Sequence, residues 1–556
     1  MVTTSRGAED ARRDRDARSQ HPAARSPHRP FRQLAVGGLL ALAACLVVPA
    51  LLTSPWWWLP ALVLMALGVL GVADLTQRRH SVLRNYPVIG HLRFVLESLR
   101  PELQQYFIER NFDGRPFDRD VRTLVYERSK GTEAEEPFGT ERDVYEDGYE
   151  FFVPSMAPGP VPEEPPWVRV GGPDCTQPYD MALLNVSAMS FGSLSANAIL
   201  ALNRGAAMGG FAHDTGEGGL SEYHLRPGGD LVWELGTGYF GCRTAEGAFD
   251  ASEFARKAAH EHIKCVSLKL SQGAKPGIGG VLPGNKVTAE IARVREVPQG
   301  RTVISPPYHQ VFSTPRELVT FIAKMRELAG GKPTGFKLCV GSRRQFLAVC
   351  KAMLQEGVTP DFIIVDGAEG GTGAAPLEFA DHLGAPLTEG LITVHSALVG
   401  CGLRDRIKIG ASGKVATGAD VVKRLLHGAD FTNAARAMMM AVGCIQAQRC
   451  HTNTCPVGVA TQDPRRARAL DVDDKSARVH RFQRATLESA LQMMAAMGVQ
   501  HPGELRPHML RRRIGPATVR SYEELYDWPA PGELLAEPPR DWAADWAAAD
   551  PDHFSV

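Results

Sequence analysis

Neither sign of charge is in excess in this chain: Lys+Arg and Asp+Glu number 62 each. That balance excludes a partner held by bulk electrostatics, and no nucleic-acid partner is expected. Cysteine is scarce, ten in 556 residues, and most of the ten stand far apart. Several sit in apolar runs, such as Cys265 in "KCVSLKL" and Cys339 in "FKLCVG". A disulfide framework is excluded as the organising device, and a reducing compartment fits better. Against that scarcity, "GCIQAQRCHTNTCPVG" from Gly443 holds Cys444, Cys450 and Cys455, with Pro456 directly after the last. Three thiols are one short of the four preferred by zinc or an ordinary iron–sulfur cluster. The spacing by itself fits either a cluster or three buried structural cysteines.

The N-terminus has a different composition. Residues 1–33 are rich in Arg, Asp, Ser and Pro and read as a disordered tail. "LAVGGLLALAACLVVPALL" (Leu34–Leu52) carries no charge, and after "TSPWWW" a second apolar run, "LPALVLMALGVLGVA" (Leu59–Ala73), follows. Both approach the length of a membrane span, and the Trp cluster suits a membrane–water interface. Eight arginines precede the first run and "QRRHSVLR" follows the second. The positive-inside rule then puts both flanks in the cytoplasm, so residues 34–75 are expected to form a transmembrane hairpin of a multi-pass cell-membrane protein. The alternatives are a cleaved signal peptide or a buried soluble hairpin. The long leading segment and the second apolar run count against the signal peptide.

Residues 76–165 are polar and end in "MAPGPVPEEPPW"; they read as an adaptor and linker. From Leu183 the pattern changes. Short apolar runs recur, each followed by a Gly-, Ser- or Asp-rich turn and a helical stretch. They are "LLNVS", "GGFAH", "DLVWELG", "CVSLKL", "GFKLCV", "DFIIVDG", "RIKIGASG" and "ADFTNAAR". Eight buried strands alternating with helices predict an α/β fold, a (β/α)8 TIM barrel. "SANAILALNRGAAM", "PRELVTFIAKMRELA", "RQFLAVCKAMLQEG" and "GADVVKRLLHG" have helical apolar spacing. The long insertion between the fourth and fifth strands is expected to be functional. Gly-rich turns after strands six to eight ("GAEGGTGAAP", "GASG", "NAARA") suit a phosphate-bearing cofactor such as FMN.

These residues also carry a resemblance. "SAMSFGSLS", "HDTGEGG", "KLSQGAKPGIGGVLPGNKV", "VISPPYHQVFS", "VDGAEGGTGAAP" and "QRCHTNTCPVGVATQ" resemble, in order, the FMN-binding synthase domain of glutamate synthase. The match covers about residues 165–500, so 166–500 is expected to be the FMN-binding barrel and 501–556 a C-terminal extension. The whole chain resembles the short members of that family that carry an N-terminal membrane segment. The resemblance implies FMN and a [3Fe–4S] cluster held by Cys444, Cys450 and Cys455, with a fourth ligand from Cys242 or Cys401 left open. It implies reductive amination of 2-oxoglutarate with ammonia through 2-iminoglutarate.

For the substrate the resemblance points to Lys269 and Lys275 as carboxylate ligands and to Glu217 near the ammonia entry. A surface carboxylate is the alternative for Glu217. Lys337, read as a buried lysine without a counter-charge, is expected to face the flavin. Ser187, Ala188 and Met189 are expected along the flavin ring, and Asp366 at the ribityl chain. Gly370, Gly371, Gly413, Ala435 and Arg436 are phosphate candidates; His309 and Arg436 could equally be structural. The chain begins Met1-Val2 and its first cysteine is Cys45, so the family's glutaminase is not expected; nor is its C-terminal β-helix. No dinucleotide-binding G-x-G-x-x-G is expected after a strand, so NAD(P)H is not expected to bind this chain directly. Electrons should arrive from a partner, a ferredoxin or flavoprotein subunit. The competing readings are a membrane-tethered FMN and iron–sulfur electron-transfer protein, an N-methylglutamate-forming enzyme, and oxidation of a 2-hydroxy acid.

Overall fold

The computed structural model describes residues 29–371 and 373–555. They form two compact units that part between Glu109 and Arg110. The first contains helices α1 (Arg29–Leu52) and α2 (Trp58–Thr76). Between them Ser54 accepts from Trp56 N and caps the short turn Pro55–Trp57. The two helices approach where side chains are smallest. A Cβ on Gly68 would meet Leu40 at 2.3 Å, and one on Gly71 would meet Val36 at 2.8 Å. Phe31–Leu52 and Pro55–Thr76 are each long and apolar enough to cross a membrane. Leu34, Leu51, Trp56 and Leu62 are bare on the outside. Of the expected tail 1–33, residues 1–28 lie outside the described residues, and α1 begins ahead of Leu34.

The second unit holds a closed, wholly parallel barrel. Its strands are β1 (Leu184–Val186), β2 (His213–Asp214), β3 (Leu231–Leu235), β4 (Ile263–Lys269), β5 (Thr334–Leu338), β6 (Phe362–Asp366), β7 (Lys408–Ser412) and β8 (Phe431–Ala434). These are the eight apolar runs of the sequence, paired in chain order, with β8 closing on β1. The strands are covered on both faces, so β3 and β6 are buried at every position.

Helices α3 (Arg119–Lys130), α4 (Ala196–Gly209), α5 (Pro315–Leu328), α6 (Arg343–Glu356), α7 (Gly418–Leu426), α8 (Arg436–Ala441) and α9 (Val472–Ala496) surround the barrel. Four of them, α4 to α7, are the helices expected from apolar spacing. Their starts are set locally. Ser195 caps α4 through Ala198 N, while Thr314 with Glu317 and Thr417 with Asp420 form capping boxes on α5 and α7.

The adaptor and the C-terminal extension build on the barrel together. Strand Glu150–Phe152 pairs antiparallel with Leu510–Gly515, which pairs with Thr518–Ser521. One expectation needs correction. Gly236–Gly241, "GTGYFG", does carry G-x-G-x-x-G spacing directly after β3. No helix opens there, because the next one is Ala251–Ala258, so the segment lacks the helix N-terminus on which a dinucleotide pyrophosphate rests.

Candidate active site

Parallel strands open all their C-terminal ends on one side. At that rim the Cα partners on adjacent strands are Lys269 with Lys337, Asp366 with Ser412, and Ser412 with Asn433. Two neighbouring lysines repel unless each is neutralised, and each has its own carboxylate. Lys269 Nζ lies 2.8 Å from Glu217 Oε1 and donates to Gln272 Oε1, also at 2.8 Å. Lys337 Nζ donates to Glu234 Oε2. The expectation that Lys337 lacks a counter-charge is therefore corrected: Glu234 of β3 supplies it. Burial alone would lower the Lys337 pKa; Glu234, Asp214 and Asp366 outweigh burial and raise it.

Glu217 is enclosed, not a surface carboxylate. Its carboxylate is seated between two glycines: a Cβ on Gly236 or on Gly280 would fall 2.3 Å from one of its oxygens. Burial works to raise its pKa, but the Lys269 ammonium, with Arg295 and Lys337 adding, holds it below the ordinary range. Asp214 goes the other way. Burial and the nearby Glu234 push its carboxyl up to about 8.

The long insertion delivers two more cations. Buried Lys275 donates to Ala374 O at 2.9 Å; burial first and Lys269 second lower its pKa. Arg295 ends the helix Ala289–Arg295. It is buried and donates to Ser190 Oγ at 3.1 Å and Phe191 O at 3.0 Å, while its Nε meets no acceptor among the described residues. Ala188, Met189, Glu217, Glu234, Lys269, Gln272, Lys275, Arg295 and Lys337 line one small cavity. Ser187 instead meets Ser412, Oγ to Oγ, at 3.1 Å. His309 is a strut beneath the cavity. Its ring nitrogens lie 2.9 Å from Tyr239 OH and 2.9 Å from Lys269 O, and burial lowers its pKa to about 4.

A second cavity, about 420 Å³, shares Gly373 with the first. Phe117, Ala274, Gly371, Arg436, Met439, Met440, Cys444 and Cys450 are among its walls. Gly371 has φ +88°, and a Cβ there would sit 2.9 Å from Gly273 O, so the turn requires glycine. A Cβ on Gly370 would meet Asp366 Oδ1 at 2.7 Å, and Asp366 Oδ2 accepts from Gly273 N at 2.8 Å. Arg436 opens α8 and donates to Glu369 O. Ala435 O accepts from Met439 N at 2.9 Å. Half-buried Lys414 follows Gly413. Burial lowers its pKa, and the charges of Arg436 and Arg115 lower it further. The late-strand loops therefore carry a cationic group of which the sequence pointed only to Arg436.

Cys444 and Cys450 reach the second cavity and Cys455 is buried. Burial, then Cys450 and Cys455, push the Cys444 thiol up to about 12. Gln446 N donates to Cys444 Sγ at 3.4 Å. Among the described residues, no three His, Cys, Asp or Glu side chains close on a point as a single metal ion requires. Cys242 and Cys401 belong to a different apolar cluster from the three loop cysteines, with Cys401 beside Cys350. They do not join the loop.

Sequence reasoning missed Glu234, Asp214, Gln272, Arg295 and Lys414. Glu234 had a signal, a lone charge inside the apolar strand "DLVWELG". Arg295 had none, because it lies inside an ordinary helix of the insertion.

Residues 178–500 match the family described as "Conserved region in glutamate synthase". The glutamate synthase large subunit-like protein YerD of Bacillus subtilis is 39% identical over 472 residues, 78% of this chain and 89% of that protein. The archaeal glutamate synthase (NADPH) of Methanocaldococcus jannaschii is 34% identical over 330 residues, 59% of this chain and 61% of that enzyme. Among solved structures, a mutant flavocytochrome b2 with pyruvate bound is 14% identical, covers 79% of this chain and 92% of its own, and has a TM-score of 0.41. The matched stretch runs from just before β1 to the end of α9 and takes in all the walls of the two cavities except Pro116 and Phe117, so the chain belongs to the glutamate synthase family.

Proposed function

We propose that the protein is an FMN- and iron–sulfur-dependent glutamate synthase-like oxidoreductase that reductively aminates 2-oxoglutarate with ammonia. The charge of the first cavity carries this reading. Its walls hold four cations, Lys269, Lys275, Arg295 and Lys337, and two carboxylates, Glu217 and Glu234. Four less two leaves a surplus of two positive charges, which suits a substrate with two carboxylates.

The second cavity fits the implied groups. Arg436 and Lys414, on the loops after β8 and β7, would hold a phosphate. Gly371 keeps that loop free of side chain and Asp366 would meet the ribityl chain; the ring would reach past Gly373, which both cavities share, to Ala188, Met189 and Lys337 in the first. Cys444, Cys450 and Cys455 lie on one short loop, the first two at the cavity wall, and would supply the thiolates of the cluster. When bound, FMN would supply hydride-transfer chemistry and a cluster held by the three cysteines would supply one-electron transfer from a ferredoxin or flavoprotein partner.

The chain's own residues prepare the substrate. Lys275 and Arg295 hold the carboxylates. Glu217, ionised, takes a proton from ammonium, and the freed ammonia attacks the ketone carbon. One proton passes from the attacking nitrogen to the alkoxide oxygen, giving the carbinolamine; Lys269 gives that oxygen a second proton, it leaves as water, and Lys269 regains its proton from Glu217 across their hydrogen bond. The product is 2-iminoglutarate in its protonated, iminium form.

The same reading anchors the enzyme through α1 and α2 with the barrel in the cytoplasm. Removing residues 1–109 should release a chain that needs no detergent and keeps its FMN; a full-length chain that is soluble without detergent refutes the anchor. The test of function is anaerobic assay of cofactor-loaded protein with reduced ferredoxin, 2-oxoglutarate and ammonium. Glutamate is the expected product. Protein that carries both cofactors and passes electrons without forming glutamate refutes the reading, and product from methylamine alone reassigns the amine.

A further inference from the structure

The adaptor was expected to be a linker, yet part of it is a wall of the second cavity. Pro116 and Phe117 line that cavity beside Arg436, Cys444 and Cys450. The Arg436 guanidinium carbon stands 5.3 Å from the centre of the Phe117 ring. Gln446, between the first two cysteines, clamps the same residue from both sides. Its side chain accepts from Phe117 N at 3.2 Å and donates to Phe117 O at 3.0 Å. Gln448 donates to Arg115 O at 3.3 Å, and Tyr126 OH donates to Cys444 O at 2.8 Å. Both glutamines hold left-handed backbone, φ 56° and 53°, and both are bonded to the adaptor. The adaptor is itself fixed. Asp118 caps α3 through Val121 N, Val125 is fully buried, and Arg481 Nε donates to Ser129 O at 2.9 Å.

We propose that Arg115–Tyr126 is a clasp on the cofactor cavity and that Phe117 is its positioning residue, holding the Arg436 guanidinium for the phosphate of FMN and, through Gln446, holding the cysteine loop closed. A guanidinium held over an aromatic ring is held without spending an N–H donor, which leaves its donors for a phosphate. One of those donors is already spent on Glu369 O, which fixes the direction of the rest. This inference rests on the FMN and cluster reading above.

The experiment compares F117A, F117L, F117W and Q446A with the parent, all as full-length protein in detergent, purified anaerobically. FMN and riboflavin are titrated onto deflavinated protein, and iron and labile sulfide are followed after exposure to air. F117A is expected to weaken FMN about tenfold while leaving riboflavin, which has no phosphate, within about twofold; F117W should restore FMN binding. Q446A should lose iron in air at least about fivefold faster than the parent. F117L keeps apolar volume without a ring and carries the same test if F117A does not fold. Equal weakening of FMN and riboflavin, or no change in either, overturns the clasp. A parent that takes up neither FMN nor iron overturns the functional reading and the clasp with it; a parent that takes up both, beside unchanged variants, overturns the clasp alone.

Discussion

The two cavities at the barrel mouth are made by opposite means. The charged one is collected from distant places: Met189 follows β1, Glu217 follows β2, Glu234 is on β3, Lys269 ends β4, Lys337 is on β5, and Lys275 and Arg295 come from the insertion. The other draws a large share of its wall from the single stretch Arg436–His451. In the first, Lys269 with Glu217 and Lys337 with Glu234 are paired charges, so removal of one member strands its partner. In the second, glutamines, methionines and backbone stand around the thiols and, among the described residues, Lys286 is the one cation that acts on Cys450, so single residues should act more independently.

The sharpest way to break that contrast is Cys450→Ser. Iron and sulfide should be lost altogether, while FMN content and the near-ultraviolet signature of the folded barrel remain. Loss of FMN together with iron would make the second cavity a network too, and recovery of tetrahedral zinc without labile sulfide would remove the cluster from the reading.

Next in size is Lys269→Met, which leaves Glu217 buried without its partner. Breaking a buried pair on one side costs about 3–5 kcal/mol of stability, and loss of the proton donor should lower turnover by roughly 10²- to 10⁴-fold. The pH dependence should change sign. In the parent the lowered Glu217 pKa adds stability above its unfolded value near ~4.3, and that stability is lost as pH falls through the folded value. Without Lys269, burial dominates and raises the pKa, so stability should fall as pH rises above about 4.3. Urea midpoints across that range check it. E217Q/K269M should be more stable than K269M, because no unpaired charge remains.

Lys275→Ala should be milder. It removes one charge-assisted contact, about 1.5–3 kcal/mol, or roughly ten- to a hundredfold in 2-oxoglutarate affinity, with FMN content unchanged. Lys337→Ala should instead destabilise the protein and weaken FMN, since it strands Glu234 inside the barrel. If Lys275→Ala loses FMN and keeps 2-oxoglutarate affinity, the two cavities have been assigned the wrong way round.

The smallest expected effect on turnover is that of Asp214→Asn, which is read in the pH profile of stability. Asp214 keeps its proton to about 8 in the fold and loses it near ~3.9 when unfolded. The native state therefore binds more protons between those values, and stability falls as pH rises through that window. The asparagine variant should show a flatter profile of urea midpoint against pH.

The eight strands and four of the helices were legible because burial on both faces leaves parallel strands as short apolar runs, and because caps such as Thr314 with Glu317 are local. The cysteine run was legible because its members are adjacent in sequence. Lys269 and Lys275 were reached through resemblance, and only their partners, Glu217 and Ala374 O, required the fold. Lys337 shows the limit. Its burial could be read, but its charge state depends on Glu234, far away in the chain, which only barrel closure brings to it.

Sequence alone therefore determined the elements, their order, the two apolar helices and the one contiguous thiol loop, since each depends on interactions spanning a few residues. Only the tertiary structure decided which charges neutralise which, and that two glycines enclose the Glu217 carboxylate. It also decided that Phe117 of the adaptor lies against Arg436. Coulombic and packing contacts depend on distance in space, and the chain reveals that distance only after the strands have closed into a ring.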